Sequence, residues 1–284
     1  MNITSVTVWY NPSEKEVVNI QTYSKKLKKV YIIDNSNIDN SELSSKIKNA
    51  EYIPLMKNTG IAYALNRGFE KAISDGYDWI MTMDQDSSWN EDELDKYLLW
   101  TEGVVSKDNK IASLAPTHYL KHTSLLGKLF FQTVGRLLAK KTKPETEYVD
   151  RVICSANIVS VNVWKELGGF NERLFIDEVD FEFCYRLRIK NYLIIINNCI
   201  TYNHILGNEK LTLFPKFNRH SSMRLYYIYR NSMYIMEKYP DFAEKFAYKQ
   251  NLAQLIRHTC ILSFNCFSNR KILQKSKNDL KKIL

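Results

Sequence analysis

The sequence lacks the patterns that mark secreted, zinc-binding or membrane-spanning proteins. Its five cysteines are an odd number with no CxxC pair, which argues against a disulfide framework and a zinc cage and favours reduced thiols. No apolar run reaches the ~18 residues that a membrane-spanning helix needs. The start of the chain, MNITSVTVWYNP, has no basic leader before an apolar stretch. We therefore expect no signal peptide and a location inside the cell.

Glycine is also scarce, and aromatic residues are abundant. The chain has nine glycines against 18 tyrosines, and 45% of its residues are hydrophobic. This composition favours a packed core over disorder. Its 284 residues fit one large α/β domain, or one domain with a helical extension.

Positive charge is in excess, with a formal net charge of +9. This excess suits nucleic acid, an anionic membrane or a phosphorylated small molecule. The basic residues are densest at 25–29, 140–143 and 270–282. No zinc-finger spacing or RNA-binding signature accompanies them, so we expect no nucleic-acid partner. The amphipathic tail is consistent with peripheral contact with a membrane, and it is equally consistent with a solvated helical face.

Strand and helix patterns alternate along the first 90 residues. Strands are predicted at Ile3–Trp9, Val30–Ile33, Glu51–Leu55 and Trp79–Met83, and helices at Glu14–Leu27 and Ile61–Ser74. This alternation predicts a mainly parallel, Rossmann-like sheet flanked by helices. Ligands of such sheets bind beyond the carboxyl ends of the strands. Asn11, Asp34 and Asp84-Gln85-Asp86 all fall at those ends.

The pattern is less regular after residue 90. We predict a helix after Asn90, strands near Ile111–Ala115 and at Val152–Val161, a loop or helix through Leu125–Leu138, short and long helices at Trp164–Leu167 and Asp180–Ile189, and strands at Tyr192–Ile196 and Ile200–Tyr202. After Gly207 the sequence becomes basic, aromatic and helical. We therefore expect an α/β domain over residues 1–207 and a helical, basic extension over 208–284.

The tripeptide Asp84-Gln85-Asp86 is the sharpest local signal of a binding site. Two carboxylates one residue apart offer the oxygen ligands that hard divalent cations prefer, and such a cation can bridge a diphosphate. An isolated DxD is more often a solvated acidic turn. The buried strand before this one, and the polar clusters at neighbouring strand ends, favour the metal-binding interpretation.

A second acidic cluster leads into a predicted helix between Phe175 and Arg186. A carboxylate at a helix N-terminus is stabilised in its ionised form by the helix dipole and by capping. It can then accept a proton as a general base. Ordinary capping by Asp177 or Asp180 is the simpler alternative.

Eight motifs in a fixed order give the chain a resemblance to a known family. They are Tyr10-Asn11-Pro12; Ile32–Ser36; Asn58–Ala62 with Asn66–Gly68; Asp84–Ser87; Gly168-Gly169-Phe170; the second acidic cluster; His204 with Gly207; and Arg224, Tyr226-Tyr227 and Arg230-Asn231. Over roughly Val6–Asn231 the chain resembles family-2 inverting glycosyltransferases of the GT-A fold. Within that family it is most similar to the bacterial rhamnosyltransferase-like branch. Each motif alone is weak, whereas the ordered set is specific.

The resemblance implies how a nucleotide-sugar donor would bind. Asp34 is similar to the aspartate that recognises the pyrimidine base, and Asn11 lies on the loop that borders the same pocket. Asn58 and Arg67 match the segment that lines the nucleotide site.

The resemblance also implies a metal site that holds Mg²⁺ or Mn²⁺. Asp84 and Asp86 are similar to its carboxylate pair, with Asp86 touching the ion directly, and His204 matches a histidine that completes the coordination in some relatives. Arg224 or Arg230 would add positive charge beside the donor's diphosphate. Both arginines could equally cap helices or pair with acids.

The catalytic base has three candidates. The family pattern places the catalytic aspartate six residues before an arginine, so Arg186 selects Asp180. Val179 replaces the usual acidic neighbour, which leaves Glu178 and Asp177 as alternates.

These roles imply inverting transfer of a sugar, with rhamnose as the candidate, from a dTDP- or UDP-sugar to a glycan or lipid-linked acceptor. The expected process is synthesis of bacterial cell-surface polysaccharide, in the cytoplasm or at the inner face of the membrane. A glycoside hydrolase also uses paired carboxylates but needs no DxD. A non-catalytic nucleotide- or glycan-binding protein of the same fold stays open. A nucleotidyltransferase would carry a glycine-rich phosphate loop that Val6–Pro12 lacks.

Overall fold

A computed structural model of the chain describes residues 1–120, 144–204, 221–261 and 265–284. The strands are β1 (Ile3–Trp9), β2 (Val30–Asp34), β3 (Ala50–Pro54), β4 (Trp79–Asp84), β5 (Ser87–Ser88), β6 (Ile111–Leu120), β7 (Thr146–Val149), β8 (Asn157–Ser160) and β9 (Leu193–His204). The helices are α1 (Glu14–Ser24), α2 (Ser41–Ser44), α3 (Ile61–Ser74), α4 (Glu91–Val105), α5 (Val161–Glu166), α6 (Val179–Ile189), α7 (Ser222–Lys238), α8 (Pro240–Lys245), α9 (Tyr248–Ile256) and α10 (Cys266–Leu280). A 3₁₀ turn covers Glu172–Leu174, and a π-helical turn covers Arg257–Ile261.

The strands form one sheet in the order β3-β2-β1-β4-β8-β6-β9-β5, with β7 also paired to β9. The first four strands are parallel to one another, as the alternating sequence pattern predicts. Strand β8 then runs antiparallel between β4 and β6, and β9 lies parallel to β6. The predicted α/β architecture, with a helix-covered and mainly parallel central sheet, is confirmed.

The register of β1 brings two predicted site residues to the same edge of the sheet. Trp9 is opposite Asp34 on β2, and Val8 is opposite Asp84 on β4. Neighbouring strands lie about 4.8 Å apart, so one strand width on each side of β1 separates Asp34 from Asp84 by about 10 Å of backbone.

Helices cover both faces of the sheet. Val6 and Val8 point to one face and belong to an apolar cluster that includes residues of α3, α5, α6 and the helices after residue 221. Trp9, on the other face, belongs to a cluster that includes residues of α1 and α4. This two-sided burial follows from strand geometry, because successive side chains point to opposite faces.

Two helices begin in different ways. Helix α1 begins with a capping box: the Ser13 side chain accepts a backbone N–H of the first helical turn, and the Glu16 side chain accepts the backbone N–H of Ser13. Helix α3 has no side-chain cap at Gly60, and the Ile61 amide donates to the carbonyl of Phe175 at 2.6 Å. The first turn of α3 is thus held by the acidic cluster found in the sequence.

Several element boundaries differ from the sequence-based prediction. Helix α1 ends at Ser24, three residues before the predicted Leu27, and α5 already begins at Val161. The two strands predicted after residue 192 are one strand, β9, because the Asn197 side chain accepts from the amides of Cys199 and Ile200 and so carries the chain through an irregularity. Strands β5 and β7 were not predicted. The prediction for Leu125–Leu138 falls outside the described residues.

The helices after residue 221 pack against the sheet domain. Tyr234, Ile235 and Tyr239 join the apolar cluster that contains Val6. Near the end of the chain the Ile283 side chain joins the same cluster, and its carbonyl accepts from Arg173 at 3.4 Å. Since residues 205–220 are not described, the boundary at 207/208 stays a prediction. Within the described residues, no helix is both long enough and apolar enough to cross a membrane.

The packing of α3 on β1 predicts opposite effects for two helical glycines. A Cβ at Gly68 would overlap the Val6 side chain, whereas a Cβ at Gly103 of α4 meets nothing within 4 Å. We expect Gly68→Ala to lower the free energy of unfolding by about 1–3 kcal/mol through overpacking. Gly103→Ala, the matched control, should raise it by about 0.5–1 kcal/mol through helix propensity. Urea unfolding measures both, and equal effects of the two changes would contradict this packing.

Candidate active site

Three carboxylates from two parts of the chain meet at the carboxyl edge of the sheet. Asp84 is the last residue of β4, Asp86 follows it in the turn to β5, and Asp180 lies in the first turn of α6. Charge on Asp86 and on Asp180 acts on Asp84. The structure therefore brings the predicted metal pair and the predicted base together.

The segment Cys154-Ser155 connects the two sides of this carboxylate cluster. The Cys154 amide donates to Asp180 Oδ2 at 3.0 Å, and the Asp84 amide donates to Ser155 Oγ at 3.3 Å. Ser155 Oγ also lies 2.7 Å from Ser87 Oγ. Adjacent backbone positions thus fix Asp180 relative to the end of β4.

Sequence reasoning missed Cys154 and Ser155. The only signal for them was a pair of small polar residues inside the apolar stretch Val152–Val161, and buried small polar residues are common in strands. Their importance comes from contacts with residues 26 to 71 positions away, which no local pattern reveals.

Burial and neighbouring carboxylates oppose the ionisation of Asp84 in this cluster. Burial, together with the charges of Asp86 and Asp180, raises the pKa of Asp84 to about 7. Burial also raises the pKa of Asp180 to about 6, against the backbone amides that donate to it. Within the described residues neither Asp84 nor Asp180 forms an ion pair with lysine or arginine. A bound cation would relieve this repulsion.

The donor set fits a hard divalent cation. Asp84 and Asp86 supply carboxylate oxygens, the ligands that Mg²⁺ and Mn²⁺ prefer. Ser87 pairs with His204 in the β5–β9 register, so the His204 backbone runs beside the residue that follows Asp86. The His204 side chain lies outside the description, and no three His, Cys, Asp or Glu side chains among the described residues form a metal-binding group. Metal binding therefore stays a prediction.

Gln85, between the two aspartates, points back to the end of β1. Its side chain accepts from the Tyr10 amide at 2.7 Å and donates to the Tyr10 carbonyl at 3.3 Å, and its own carbonyl accepts from Asn19 at 2.8 Å. These three bonds lock the turn, and they account for a non-acidic residue at the centre of the DxD motif.

Asp34 organises the neighbouring loop. Its buried carboxylate accepts from the Ser36 amide at 3.0 Å, from Asn40 Nδ2 at 2.7 Å and from the Tyr52 hydroxyl at 2.7 Å. Asn11 adopts a left-handed conformation with φ of 49°, and its amide donates to Ser36 Oγ at 2.8 Å. Asn11 and Asp34 thus share one loop region, and their predicted contacts with the donor base stay predictions.

Asn58 lies in the loop before α3, and Arg67 lies within that helix. Asn58 Oδ1 accepts from Asn35 Nδ2 and from the Gly60 amide, each at 3.1 Å, so it shapes the loop before the helix. Arg67 lies two turns into the helix, where it pairs with Glu70 and stacks on the Tyr63 ring at 5.1 Å. Asn58 thus adjoins the strand ends, while Arg67 is engaged by Glu70 and Tyr63 on its own helix.

The acidic cluster has an unusual backbone. Phe175, Asp177 and Glu178 adopt positive φ values of 67°, 60° and 67°, which side-chain-bearing residues rarely do. Asn231 of α7 holds this segment, because its side-chain amide donates to the carbonyls of Leu174, Ile176 and Asp177 at 2.8–2.9 Å.

Arg224 and Arg230 of α7 both serve the same segment. Arg224 forms an exposed ion pair with Asp177 at 3.0 Å. Arg230 is buried, donates to the carbonyls of Arg173 and Leu174 at 2.6 and 3.0 Å, and stacks on Tyr227. Pairing with an acid and holding backbone carbonyls are the contacts seen, and a role beside the diphosphate stays a prediction.

The three candidate bases differ in their partners. Asp177 is paired with Arg224, and Glu178 accepts from the Tyr248 hydroxyl. Asp180 accepts backbone N–H groups and faces Asp84. Asp180 therefore adjoins the predicted metal pair, and its role as the base stays a prediction.

Arg186 anchors the helix that carries Asp180. It forms an ion pair with buried Glu182 at 2.8 Å, and it donates to the carbonyls of Leu167 and Gly169, each at 2.8 Å. Arg186 therefore fixes α6 against the Gly168-Gly169 turn, which explains why its spacing from Asp180 is informative.

Comparisons with known proteins show what the chain as a whole is similar to. Residues 15–103 match the family model described as "Glycosyl transferase family 2". The chain is 29% identical over 251 residues to the dTDP-rhamnosyl transferase RfbF of Shigella flexneri. The matched region covers 84% of this chain and 80% of that protein.

Two solved structures share the fold over 99% of this chain. One is S. aureus TarS 1–349 in complex with UDP-GlcNAc, with 13% identity, a TM-score of 0.60 and 80% of that chain covered. The other is GalNAc-T7 with UDP, GalNAc and Mn²⁺, with 15% identity and a TM-score of 0.63. This chain spans 56% of the GalNAc-T7 chain. At these identities the likeness shows the fold alone.

The uncompensated charge at Asp84 predicts a pH-dependent stability difference. With a folded pKa of about 7 and an unfolded pKa near 3.9, the carboxyl is protonated in both states below about pH 4. Between about pH 4 and 7 the carboxyl is ionised in the unfolded state but still largely protonated in the folded state, so the free energy of unfolding falls as the pH rises. In metal-free buffer we expect Asp84→Asn to be more stable than the wild type at pH 7, by about 1–2 kcal/mol, with no difference near pH 4.

Urea unfolding at the two pH values measures this difference. The matched control is Asp108→Asn, which changes an exposed aspartate at the opposite edge of the sheet. A stabilisation by Asp84→Asn that is the same at both pH values would contradict the burial argument.

Proposed function

We propose that this chain, a glycosyltransferase with a family 2 domain, transfers a sugar with inversion from a nucleotide diphosphate donor to a glycan or lipid-linked acceptor. The observation that carries the proposal is the meeting of Asp84, Asp86 and Asp180, fixed from both sides by Cys154-Ser155. This arrangement places a cation-binding pair and a base at one strand edge, beside the loops of Asn11, Asp34 and Asn58.

Asp84 and Asp86 are the residues that would hold Mg²⁺ or Mn²⁺. Such an ion neutralises charge that develops on a departing diphosphate. The Gln85 hydrogen bonds hold the turn that carries the two carboxylates. Preorganised ligands of this kind lower the cost of assembling the site.

Asp180 would take the proton from the acceptor hydroxyl as that oxygen attacks the anomeric carbon. Its raised pKa of about 6 keeps it largely ionised at neutral pH while making it a stronger base than an exposed aspartate. Because one base and one direct displacement suffice, the anomeric configuration inverts and no covalent sugar–enzyme intermediate forms.

The donor we propose is a dTDP- or UDP-sugar, with dTDP-rhamnose as the first choice. The relative from Shigella flexneri is named as a dTDP-rhamnosyl transferase. We place the reaction in the synthesis of bacterial cell-surface polysaccharide, which also requires a glycan or lipid-linked acceptor.

A donor panel tests the proposal. Nucleotide release from dTDP- and UDP-sugars, with Mn²⁺ or with EDTA, should be fastest for one donor and should need the metal. We expect Asp86→Ala and Asp180→Asn each to lower kcat by about 10²–10⁴-fold, because each removes a group that acts in the transition state.

Asp108→Asn is again the control and should keep wild-type kcat, since its carboxylate lies at the far edge of the sheet. Full activity in both site variants would rule out this site. Hydrolysis of a glycan without nucleotide would favour a glycoside hydrolase, and donor binding without turnover would favour a binding protein.

We also propose that the C-terminal helices touch an anionic membrane, which suits a lipid-linked acceptor. Asn269 and Arg270 at the start of α10 donate to the carbonyls of Thr259 and Cys260 in the π-helical turn. Two apolar side chains near these residues in sequence are exposed, Ile261 at 60% and Phe267 at 77%. The exposed basic residues around them are Arg257, Arg270 and Lys271.

Co-sedimentation with vesicles that contain anionic lipid tests the membrane contact. The double change Ile261→Ser and Phe267→Ser should reduce binding by about tenfold or more, because it removes the inserted apolar area. Leu99→Ser is the matched control, since Leu99 is 73% exposed on α4. Equal binding of the wild type and the double variant would rule out this contact surface.

A further inference from the structure

The backbone turn that delivers Asp180 is strained. Asp177 and Glu178 are consecutive residues in left-handed conformations, and neither is a glycine. Glu178 occupies the N-cap position of α6, yet its side chain makes no capping bond to the helix. Because strained backbone persists only where surrounding contacts over-determine it, the partners of these two residues decide where Asp180 lies.

Those partners come from helices after residue 221. Asn231 of α7 accounts for the Asp177 carbonyl, and Arg224 of the same helix accounts for its carboxylate. Tyr248, the first residue of α9, donates its hydroxyl to the Glu178 carboxylate. The Glu178 side chain, which does not cap its own helix, is therefore used to tie the turn to α9.

The Tyr248 hydroxyl is itself the end of a chain of donors. Tyr185 Oη lies 3.0 Å from Tyr248 Oη, and Arg151 Nη1 lies 3.1 Å and 3.5 Å from the two hydroxyl oxygens. Since Tyr248 has one hydroxyl hydrogen and gives it to Glu178, its oxygen accepts from Tyr185 and Arg151. All hydrogens along this network point towards the carboxylate.

Arg151 is fixed between two aromatic rings. Its guanidinium carbon lies 3.7 Å from the Phe246 ring centroid and 4.4 Å from that of Phe181. Phe181 directly follows Asp180, and Phe246 directly precedes the turn into α9. The stacked guanidinium therefore joins the same two parts of the chain that the Tyr248–Glu178 bond joins.

We infer that Tyr248 is a positioning residue for sugar transfer: through its hydrogen bond to Glu178 it holds the strained turn that places Asp180 beside Cys154 and Asp84. This inference rests on the proposed function and assigns a catalytic purpose to α9. Tyr248 acts through Glu178, so an acceptor atom at position 178 is needed and a negative charge is not.

The protonation of Glu178 supports this arrangement. Burial raises the pKa of Glu178 to about 7, and the Tyr248 hydrogen bond and the charge of Arg151 oppose that rise, while Asp180 and Asp177 add to it. The hydroxyl thus maintains Glu178 as an acceptor in a site that otherwise favours its protonated form.

The closing experiment is a double-mutant cycle on kcat and on the KM for the donor. Tyr248→Phe and Glu178→Ala should each lower kcat by about ten- to a hundredfold and leave the KM within about threefold, because misplacement of the base affects chemistry and not donor binding. The double variant should lose no more activity than either single variant. Glu178→Gln, which keeps an acceptor oxygen, should retain kcat within about threefold of the wild type.

The matched control is Tyr239→Phe. Tyr239 donates its hydroxyl to buried Glu182 at 2.7 Å, so it joins the same C-terminal region to the same helix through a residue outside the strained turn. It should lower stability about as much as Tyr248→Phe does, while kcat stays within about twofold.

Multiplicative losses in the double variant, or equal kcat in the Tyr248→Phe and Tyr239→Phe variants, would overturn the positioning role while transfer by the wild type stands. A Glu178→Gln variant as inactive as Asp180→Asn would also overturn it, because Glu178 would then be the base. Absence of transfer by the wild type with every donor would overturn the proposed function, and this inference with it.

Discussion

Repulsion between carboxylates at the edge of the sheet is the constraint around which the rest of this structure is organised. Asp84, Asp86 and Asp180 come from a strand, a turn and a helix. The fold places them together although burial opposes the ionisation of Asp84 and Asp180, and the charges of Asp86 and Asp180 oppose that of Asp84 further. The free energy for this comes from the two apolar clusters on either face of the sheet. Burying these carboxylates lowers stability, and it leaves a site that favours the binding of positive charge.

The two sides of the site are held by different means. On the sheet side, parallel ladder bonds and the Gln85 side chain fix the aspartate turn to β1. On the helix side, the segment before Asp180 is held from outside the sheet domain, by side chains of α7 and α9. The C-terminal helices are therefore more than an appendage to the sheet, because they contact the segment that leads into Asp180.

Local pattern was sufficient for much of this fold. Ile3–Trp9 and Ile61–Ser74 were predicted with their observed bounds, because β-branched runs and an apolar stripe at helical spacing are set by neighbouring residues. The insertion of antiparallel β8 between β4 and β6 could not be predicted, since pairing of Ile80 with Val159 depends on residues far apart in sequence.

The candidate site shows the same division. The aspartates at strand ends were found from the sequence because strand ends converge in a parallel sheet. The contacts of Cys154 with Asp180 and of Tyr248 with Glu178 were not, because they join segments whose proximity is set by tertiary packing. The family resemblance supplied what spacing could not, namely which of three neighbouring carboxylates to choose.

The close approach of Gly60 to Phe175 has an evolutionary consequence. A Cβ at position 60 would lie 2.6 Å from the Phe175 ring and 2.7 Å from its carbonyl oxygen, while the adjacent Ile61 amide donates to that same oxygen. Gly60, in the loop before α3, and Phe175, in the second acidic cluster, therefore restrict each other's side chains. In a set of homologous sequences, a side chain at position 60 should be accompanied by a different residue or a changed loop length around position 175, so the two positions should covary.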